Sequence, residues 1–214
     1  MNAPSRALAG DAAGIAGRGG YKRAFDLALL GLVLVLAAPL WAVLVPAIAL
    51  AVRIGDGGPA LYRQQRLGRD GALFEILKFR TMAVDAESAT GPVWTERGDP
   101  RITRVGRVLR HFHLDELPQA VNVLRGEMSL VGPRPERPAL AARIETAVPG
   151  FAARLRVRPG VAGLAQAEGA GWRDPASKLR YDNRYIATMT PWLDLKLCAR
   201  CLARAAVLRR NRRQ

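Results

Sequence analysis

The chain is poor in the residues that build soft-metal, redox or base-stacking sites. Among 214 residues there are two cysteines and two histidines, and aromatic side chains make up 6%. Two cysteines exclude a disulfide framework. Cys198 and Cys201 form a C-x-x-C, but there is no second pair, and His111 and His113 lie far upstream. That argues against zinc, and the lack of a surrounding βαβ pattern argues against a thioredoxin-type centre. Few aromatics disfavour a surface that stacks on bases. Acidic residues are also scarce: 18 Asp and Glu stand against 33 Lys and Arg, a formal charge of +15. Such a balance points to phosphates, in nucleic acid, anionic lipid or a phosphorylated substrate. No internal repeat stands out, and neither a Walker A nor a dinucleotide fingerprint is matched. No cleavable signal peptide is expected, because the first apolar run comes too late.

That run is the longest feature present. Leu27 to Val52 is 26 residues without a charge. As a straight helix it reaches about 39 Å, against a bilayer core of about 30 Å. Pro39 near its middle predicts a kink, and Pro46 a second break. Both flanks are basic, with Lys22 and Arg23 before and Arg53, Arg63 and Arg66 after. Positive flanks prefer the cytoplasmic side, which a hairpin bent at Ala38-Pro39 satisfies at both ends. From the residues alone, a single span and a re-entrant hairpin both stay open.

The rest reads as short elements. Ala60 to Tyr62 and Leu73 to Leu77 are expected to be strands around the turn Gly68-Arg69-Asp70-Gly71. Lys78 and Arg80 share a face if the second strand continues, either solvated or clamping a phosphate. Val131-Gly132-Pro133-Arg134-Pro135 is a rigid turn presenting an arginine. Arg158 to Gln166 is punctuated by glycines and suits close approach of an anion to backbone. Pro138 to Ala147 and Lys178 to Ile186 are expected helices, the latter with Asp182 and Tyr185 on one side. A last helix from Pro191 to about Arg209 carries Lys196, Arg200 and Arg204 at i, i+4, i+8. It fits a membrane-surface helix, or an ordinary core helix with a solvated basic face.

Between these lies Arg110-His111-Phe112-His113-Leu114-Asp115-Glu116-Leu117-Pro118-Gln119. Leu117, Ala120, Val121 and Leu124 follow helical spacing, and Gly126 suits the residue after a helix end. Asp115 and Glu116 are therefore expected near a helix N-terminus, where free amides favour anions. The plainer reading is that Asp115 is simply an N-cap.

Taken in order, the motifs resemble those of one family. They are Lys22-Arg23-x-x-Asp26; Gly58-Pro59 to Gln65-Arg66-x-Gly68; Phe74-x-x-x-Lys78-Phe79-Arg80-Thr81-Met82; Leu114-Asp115-Glu116-Leu117-Pro118-Gln119; Met128-Ser129-Leu130-Val131-Gly132-Pro133-Arg134-Pro135; Arg158-Pro159-Gly160-x-x-Gly163-Leu164-Ala165-Gln166; and Asp182-x-x-Tyr185 before Trp192-Leu193-Asp194. Each is weak alone, but seven in order are specific. Over about Lys22 to Leu208 the chain resembles the bacterial sugar transferases, the monotopic polyprenyl-phosphate phosphoglycosyl transferases, at the length of their small members.

The resemblance implies transfer of a phospho-sugar from a UDP-sugar to polyprenyl (undecaprenyl) phosphate, releasing UMP, through a covalent intermediate on Asp115. It implies Glu116, with Asp115, as Mg²⁺ ligands, and Lys78, Arg80, Arg110, Arg134, Arg158, Gln166 and Asp182 as substrate- or phosphate-binding residues. The implied fold is α+β and mostly helical. It has a re-entrant membrane helix over residues 21–54 kinked at Pro39 and a small β-hairpin. Interfacial amphipathic helices surround a cytosolic catalytic core over 55–190, with a disordered tail at 1–20 and a basic helix and tail at 191–214. Membrane lipid is the implied partner and nucleic acid is not; a homo-oligomer is compatible. The implied location is the cytoplasmic face of the bacterial inner membrane. The family commonly has Ser-Pro at the kink and Ser or Thr before the acidic pair; this chain has Ala38-Pro39 and His113. Two rival functions are a Mg²⁺-dependent nucleotide-sugar hydrolase and a non-enzymatic basic membrane-binding module. No residue identifies the sugar.

Overall fold

A computed structural model describes residues 19–88, 91, 93–96, 98–170 and 174–210. The tail expected to be disordered lies outside them except for Gly19 and Gly20, as do residues 211–214.

The long apolar run forms two helices, α1 (Lys22–Leu36) and α2 (Ala38–Asp56), separated at Ala37 (φ −105°, ψ 19°). The break falls two residues before Pro39 because proline cannot donate to the Val35 carbonyl. It is accommodated instead in the first turn of α2, where no N–H is needed. Trp41 Nε1 donates across the break to the Val33 carbonyl at 3.3 Å. Pro46 does not break the chain as expected; α2 runs through it. By length and composition α2 is apolar enough to cross a membrane. Val35, Leu36, Leu40, Val43, Leu50 and Ile54 are exposed, a surface too apolar for a water-facing helix.

The expected hairpin is present and longer: β1 (Leu61–Leu67) pairs antiparallel with β2 (Leu73–Phe79), Gln64 opposite Ile76. Helix α3 (Arg104–Phe112) follows, capped by the Thr103 side chain, which accepts from the Gly106 amide. A tight turn at Leu114–Glu116 leads into α4 (Gln119–Arg125), closed by Gly126 at φ 78°. Then come β3 (Ser129–Val131), α5 (Pro138–Ala147), a tight helical turn at Phe151–Arg156, β4 (Gly160–Ala162), α6 (Leu164–Glu168), α7 (Pro175–Thr188) and α8 (Pro191–Arg210). The architecture is mostly helical α+β. The parallel pair β3–β4 was not anticipated, since three residues carry no readable alternation.

The glycine motif makes that pair possible. A Cβ at Gly160 would meet the Gly132 amide nitrogen at 2.0 Å, and one at Gly163 the Gly132 carbonyl at 2.5 Å. The close approach anticipated for an anion is therefore filled by the chain's own backbone.

A buried polar clamp ties the start of α1 to α8. Lys22 Nζ donates to Asp194 Oδ2 (2.7 Å) and the Val131 carbonyl (2.7 Å), and Tyr185 Oη donates to Asp194 Oδ1 (2.8 Å). Tyr21 Oη donates to Asp194 Oδ2 at 2.7 Å. Asp26 accepts from Ser129 Oγ and from the Leu130 amide. Motif residues far apart in sequence thus fix α1 against β3. In α8 the basic stripe is exposed but partly engaged: Arg200 pairs with Glu168, and Arg204 donates to the Ala167 carbonyl. Trp192, Leu195 and Leu202 form an exposed apolar stripe instead.

Candidate active site

The site forms where α4 docks on β2. One edge of β2 pairs with β1. On the other, buried Asn122 of α4 substitutes for a strand, its Nδ2 donating to the Glu75 carbonyl (2.7 Å) and its Oδ1 accepting from the Leu77 amide (3.0 Å). This sets the Leu114–Glu116 turn beside Lys78. Helix α3 docks on the same strand end through Gly106, whose missing Cβ leaves room for the Thr81 carbonyl. Arg110 Nε then donates to Thr81 Oγ1 at 2.7 Å, which turns Arg110 toward the same cavity. His113 (φ 56°) joins α3 to the turn in a left-handed conformation that a non-glycine residue seldom adopts.

Glu116 lies between two cations. Lys78 Nζ donates to its Oε1 at 2.9 Å, and Arg134 pairs with the same carboxylate. Burial opposes ionisation, but Arg134 and then Lys78 hold the Glu116 carboxyl well below the usual carboxylate range. Asp115 is 8% exposed, and its carboxylate has no hydrogen bond or ion pair among the described residues. Burial pushes its pKa up. The charges of Lys78, Arg110 and Arg134 oppose the rise, and Glu116 adds to it. This differs from the expectation of a carboxylate kept ionised by a helix N-terminus. The pair sits in the turn before α4, whose N-cap is Pro118, and Asp115 caps neither helix.

These side chains open on a cavity of about 980 Å³ rich in charged groups, the more polar of two, bounded by the hairpin, Thr81 to Ser88 and Arg137. Against it lies a second, mainly apolar cavity of about 890 Å³, bounded by α1, α4, β4 and α8. Arg66, His113, Glu116 and Arg134 line both.

Among the expected site residues, Asp115, Glu116, Lys78, Arg110 and Arg134 are brought together. Arg80 borders the polar cavity, but its guanidinium packs over Gly58 and pairs with Asp56 at the end of α2, because the strand ends at Phe79. Arg158 lies at neither cavity; its charged neighbours are Arg69, Arg23 and Asp26. Gln166 lines the apolar cavity, with its amide nitrogen on the Val161 carbonyl at 3.0 Å. Asp182 is buried behind the site, where its Oδ2 accepts from Arg154 Nε (2.8 Å). Arg154 Nη2 in turn donates to the Arg134 carbonyl at 2.8 Å. Asp182 therefore reaches the polar cavity through Arg154 and the backbone of Arg134 rather than directly. Glu136 and Lys178 pair alongside.

Sequence reasoning missed Asn122, Arg154, Glu136 and Arg66 as parts of the site. The Gln65-Arg66-x-Gly68 motif was the only signal for Arg66. Arg66 donates to the Pro135 carbonyl at 3.1 Å and to Gln64 Oε1 at 2.5 Å, while its buried Nε has no partner among the described residues. Burial and the adjacent Arg134 charge lower its pKa to about 10, so it stays cationic at neutral pH.

Comparison with known proteins places this arrangement. Residues 18–208 match the family model described as bacterial sugar transferase. A UDP-glucose:undecaprenyl-phosphate glucose-1-phosphate transferase of Caulobacter vibrioides is 45% identical over 184 residues, 84% of this chain and 67% of that protein. An undecaprenyl-phosphate glucose phosphotransferase of Komagataeibacter xylinus is 41% identical, covering 82% of this chain and 34% of its own length. A UDP-N-acetylgalactosamine-undecaprenyl-phosphate N-acetylgalactosaminephosphotransferase of Aeromonas hydrophila is 38% identical, covering 81% and 41%. The chain thus spans two thirds of one of these relatives and well under half of the other two.

Proposed function

Because the chain belongs to the bacterial sugar transferase family, we propose that it moves a phospho-sugar from a UDP-sugar to undecaprenyl phosphate. The observation that carries this reading is the Asp115 carboxylate, unpaired among the described residues, beside Glu116, Lys78, Arg110 and Arg134 in one cavity. In the first step a carboxylate oxygen of Asp115 attacks the β-phosphorus of the donor. The bond from that phosphorus to the bridging oxygen breaks, and UMP leaves with the electron pair. In the second step an oxygen of the lipid phosphate attacks the phosphorus held on Asp115, the P–O bond to Asp115 breaks, and its carboxylate is restored. Dividing the transfer means that two anionic substrates never have to share the site. Lys78, Arg110 and Arg134 supply the charge that stabilises the transferring phosphoryl group.

Mg²⁺ fits the donor set in kind. The open oxygens of Asp115 suit a hard cation, while those of Glu116 already face Lys78 and Arg134. Among the described residues no cluster of three or more ligating side chains exists, which fits an ion that takes most of its ligands from water and diphosphate. Asp115 would hold it, with Glu116 joining by giving up one of its cations. When bound, the ion neutralises diphosphate charge.

The break at Ala37 and the basic residues flanking both helices support a re-entrant anchor that keeps the catalytic core on the cytoplasmic face of the inner membrane. Single cysteines near Gly10 and near Gln214, with Cys198 and Cys201 replaced, are then both protected from an impermeant thiol reagent in intact cells. Labelling at the N-terminal site alone would show a full span.

The chemical test is release of UMP from a panel of UDP-sugars with undecaprenyl phosphate and Mg²⁺. A transferase yields a lipid-linked diphosphate sugar. Free sugar phosphate formed without lipid would favour a hydrolase, and no turnover a binding module. The panel spans several sugars because relatives named for glucose and for N-acetylgalactosamine both match, at 45% and 38% identity.

The pH dependence follows from Asp115. A nucleophilic carboxylate must be ionised, and burial raises its pKa, so donor cleavage is lost on acidification at a pH above the ordinary aspartate value of about 3.9. Lys78 is the leading charge opposing that rise. In Lys78→Met the acid limb of the UMP-release profile therefore moves to higher pH. A limb that stays in place or moves down would remove Asp115 as the titrating group.

A further inference from the structure

We propose that the apolar cavity is the lipid acceptor's site, taking the first isoprene units of the polyprenyl phosphate with the phosphate between Arg66 and Arg134. The inference rests on the transferase reading and adds where its second substrate binds.

The cavity has the size of a small-molecule site, about 890 Å³. It holds the head-proximal part of a long prenyl chain and leaves the rest to the bilayer. One side of its lining is suited to hydrocarbon, with Leu30, Ala120, Leu130, Val161, Ala165 and Leu202, while Thr95, Glu136, Lys178 and Arg204 border the rest. Leu30 belongs to α1 and lies one turn from exposed Leu27 and Val33 on either side. The wall of the cavity therefore continues into the apolar surface of the membrane helices, and a chain entering from lipid need not cross water. Burying apolar area at about 25 cal/mol per Å² favours that path.

The other end is charged. Arg66, Glu116 and Arg134 line both cavities, so a head group there lies beside the residues that hold the donor's phosphates. Arg66 and Arg134 are like charges close enough to disfavour each other. An anion seated between them relieves the repulsion. The donor is assigned to the other cavity, which holds Asp115, Lys78 and Arg110 as well as Gln64, Thr81 and Ser88. The acceptor phosphate thus approaches the phosphorus on Asp115 from the lipid side after UMP leaves toward the other.

Two measurements test this on the full-length protein in nanodiscs. A prenyl phosphate with a diazirine on its second isoprene unit should label peptides containing Ala120 or Val161, in competition with undecaprenyl phosphate. In Ala120→Phe and Val161→Phe, made on different elements at half-buried positions, the KM for undecaprenyl phosphate should rise at least tenfold more than the KM for UDP-sugar. Labelling confined to α2, or acceptor and donor KM moving together in both variants, overturns the proposal. Specific labelling of Ala120 or Val161 peptides by a wild-type protein that releases no UMP from any UDP-sugar would uphold the lipid site and overturn the transferase reading instead.

Discussion

Asp115→Asn is expected to abolish donor cleavage, lowering UMP release about 10⁴-fold or more, while leaving thermal stability unchanged or raised. The first part follows from chemistry: an amide has neither the charge nor the nucleophilic oxygen to attack phosphorus. The second follows from the environment. The carboxylate is buried, its pKa is raised by that burial, and it has no hydrogen bond or ion pair among the described residues. Ionised, it costs the fold free energy, and the neutral amide removes that cost. A capping aspartate would behave the other way. Its loss costs about 1 kcal/mol, a fall of roughly 2–4 °C in a chain of this size, with activity touched only indirectly. Thermal unfolding and a UMP assay on the same preparation separate the two. Turnover like that of the unmodified protein, or a lowered midpoint with turnover retained, would remove Asp115 as nucleophile.

Lys22→Met is expected to be the most destabilising single change outside the site. It leaves the Asp194 carboxylate, 0% exposed, with only the hydroxyls of Tyr21 and Tyr185. Breaking a buried pair from one side costs about 3–5 kcal/mol, on the order of 10 °C here. Removing both charges should recover much of it, because the penalty is that of an unpaired charge rather than a lost attraction. Lys22→Met combined with Asp194→Leu is therefore more stable than Lys22→Met alone, as read by thermal unfolding in a fixed detergent. A double variant no better than the single would contradict that account.

Local elements were legible where a period or a stop signal is repeated within a few residues. The hairpin turn at Gly68 to Gly71, the helix from Pro138 to Ala147 and the end of α4 at Gly126 all stand where turn and capping chemistry put them. Partnership across the chain was not legible. Lys22 and Asp194 are 172 residues apart, and nothing near either names the other. Asp182 reads as a site residue from its place in a motif, yet its partner, Arg154, lies in a tight helical turn without a motif of its own. Arg80 and Arg158 were grouped with the site by their places in motifs of the resembling family. Where the strand ends and which way the backbone turns decide what a cation meets, and neither is written in residue type. Conversely, Asn122 holds the site together from a position that reads only as a helix interior.

The clasp on Glu116 also bears on selectivity. Before any substrate arrives, Lys78 and Arg134 are already occupied by a carboxylate fixed to the same chain. Glu116 is in effect a tethered competitor, and tethered groups act at effective concentrations in the millimolar range or above. A free inorganic phosphate, with no prenyl chain to hold it there, gains little by displacing it. A diphosphate contacts several cations at once and has enough to offer. The resting site is thereby shielded from the abundant small anions that +15 of net charge would otherwise draw in.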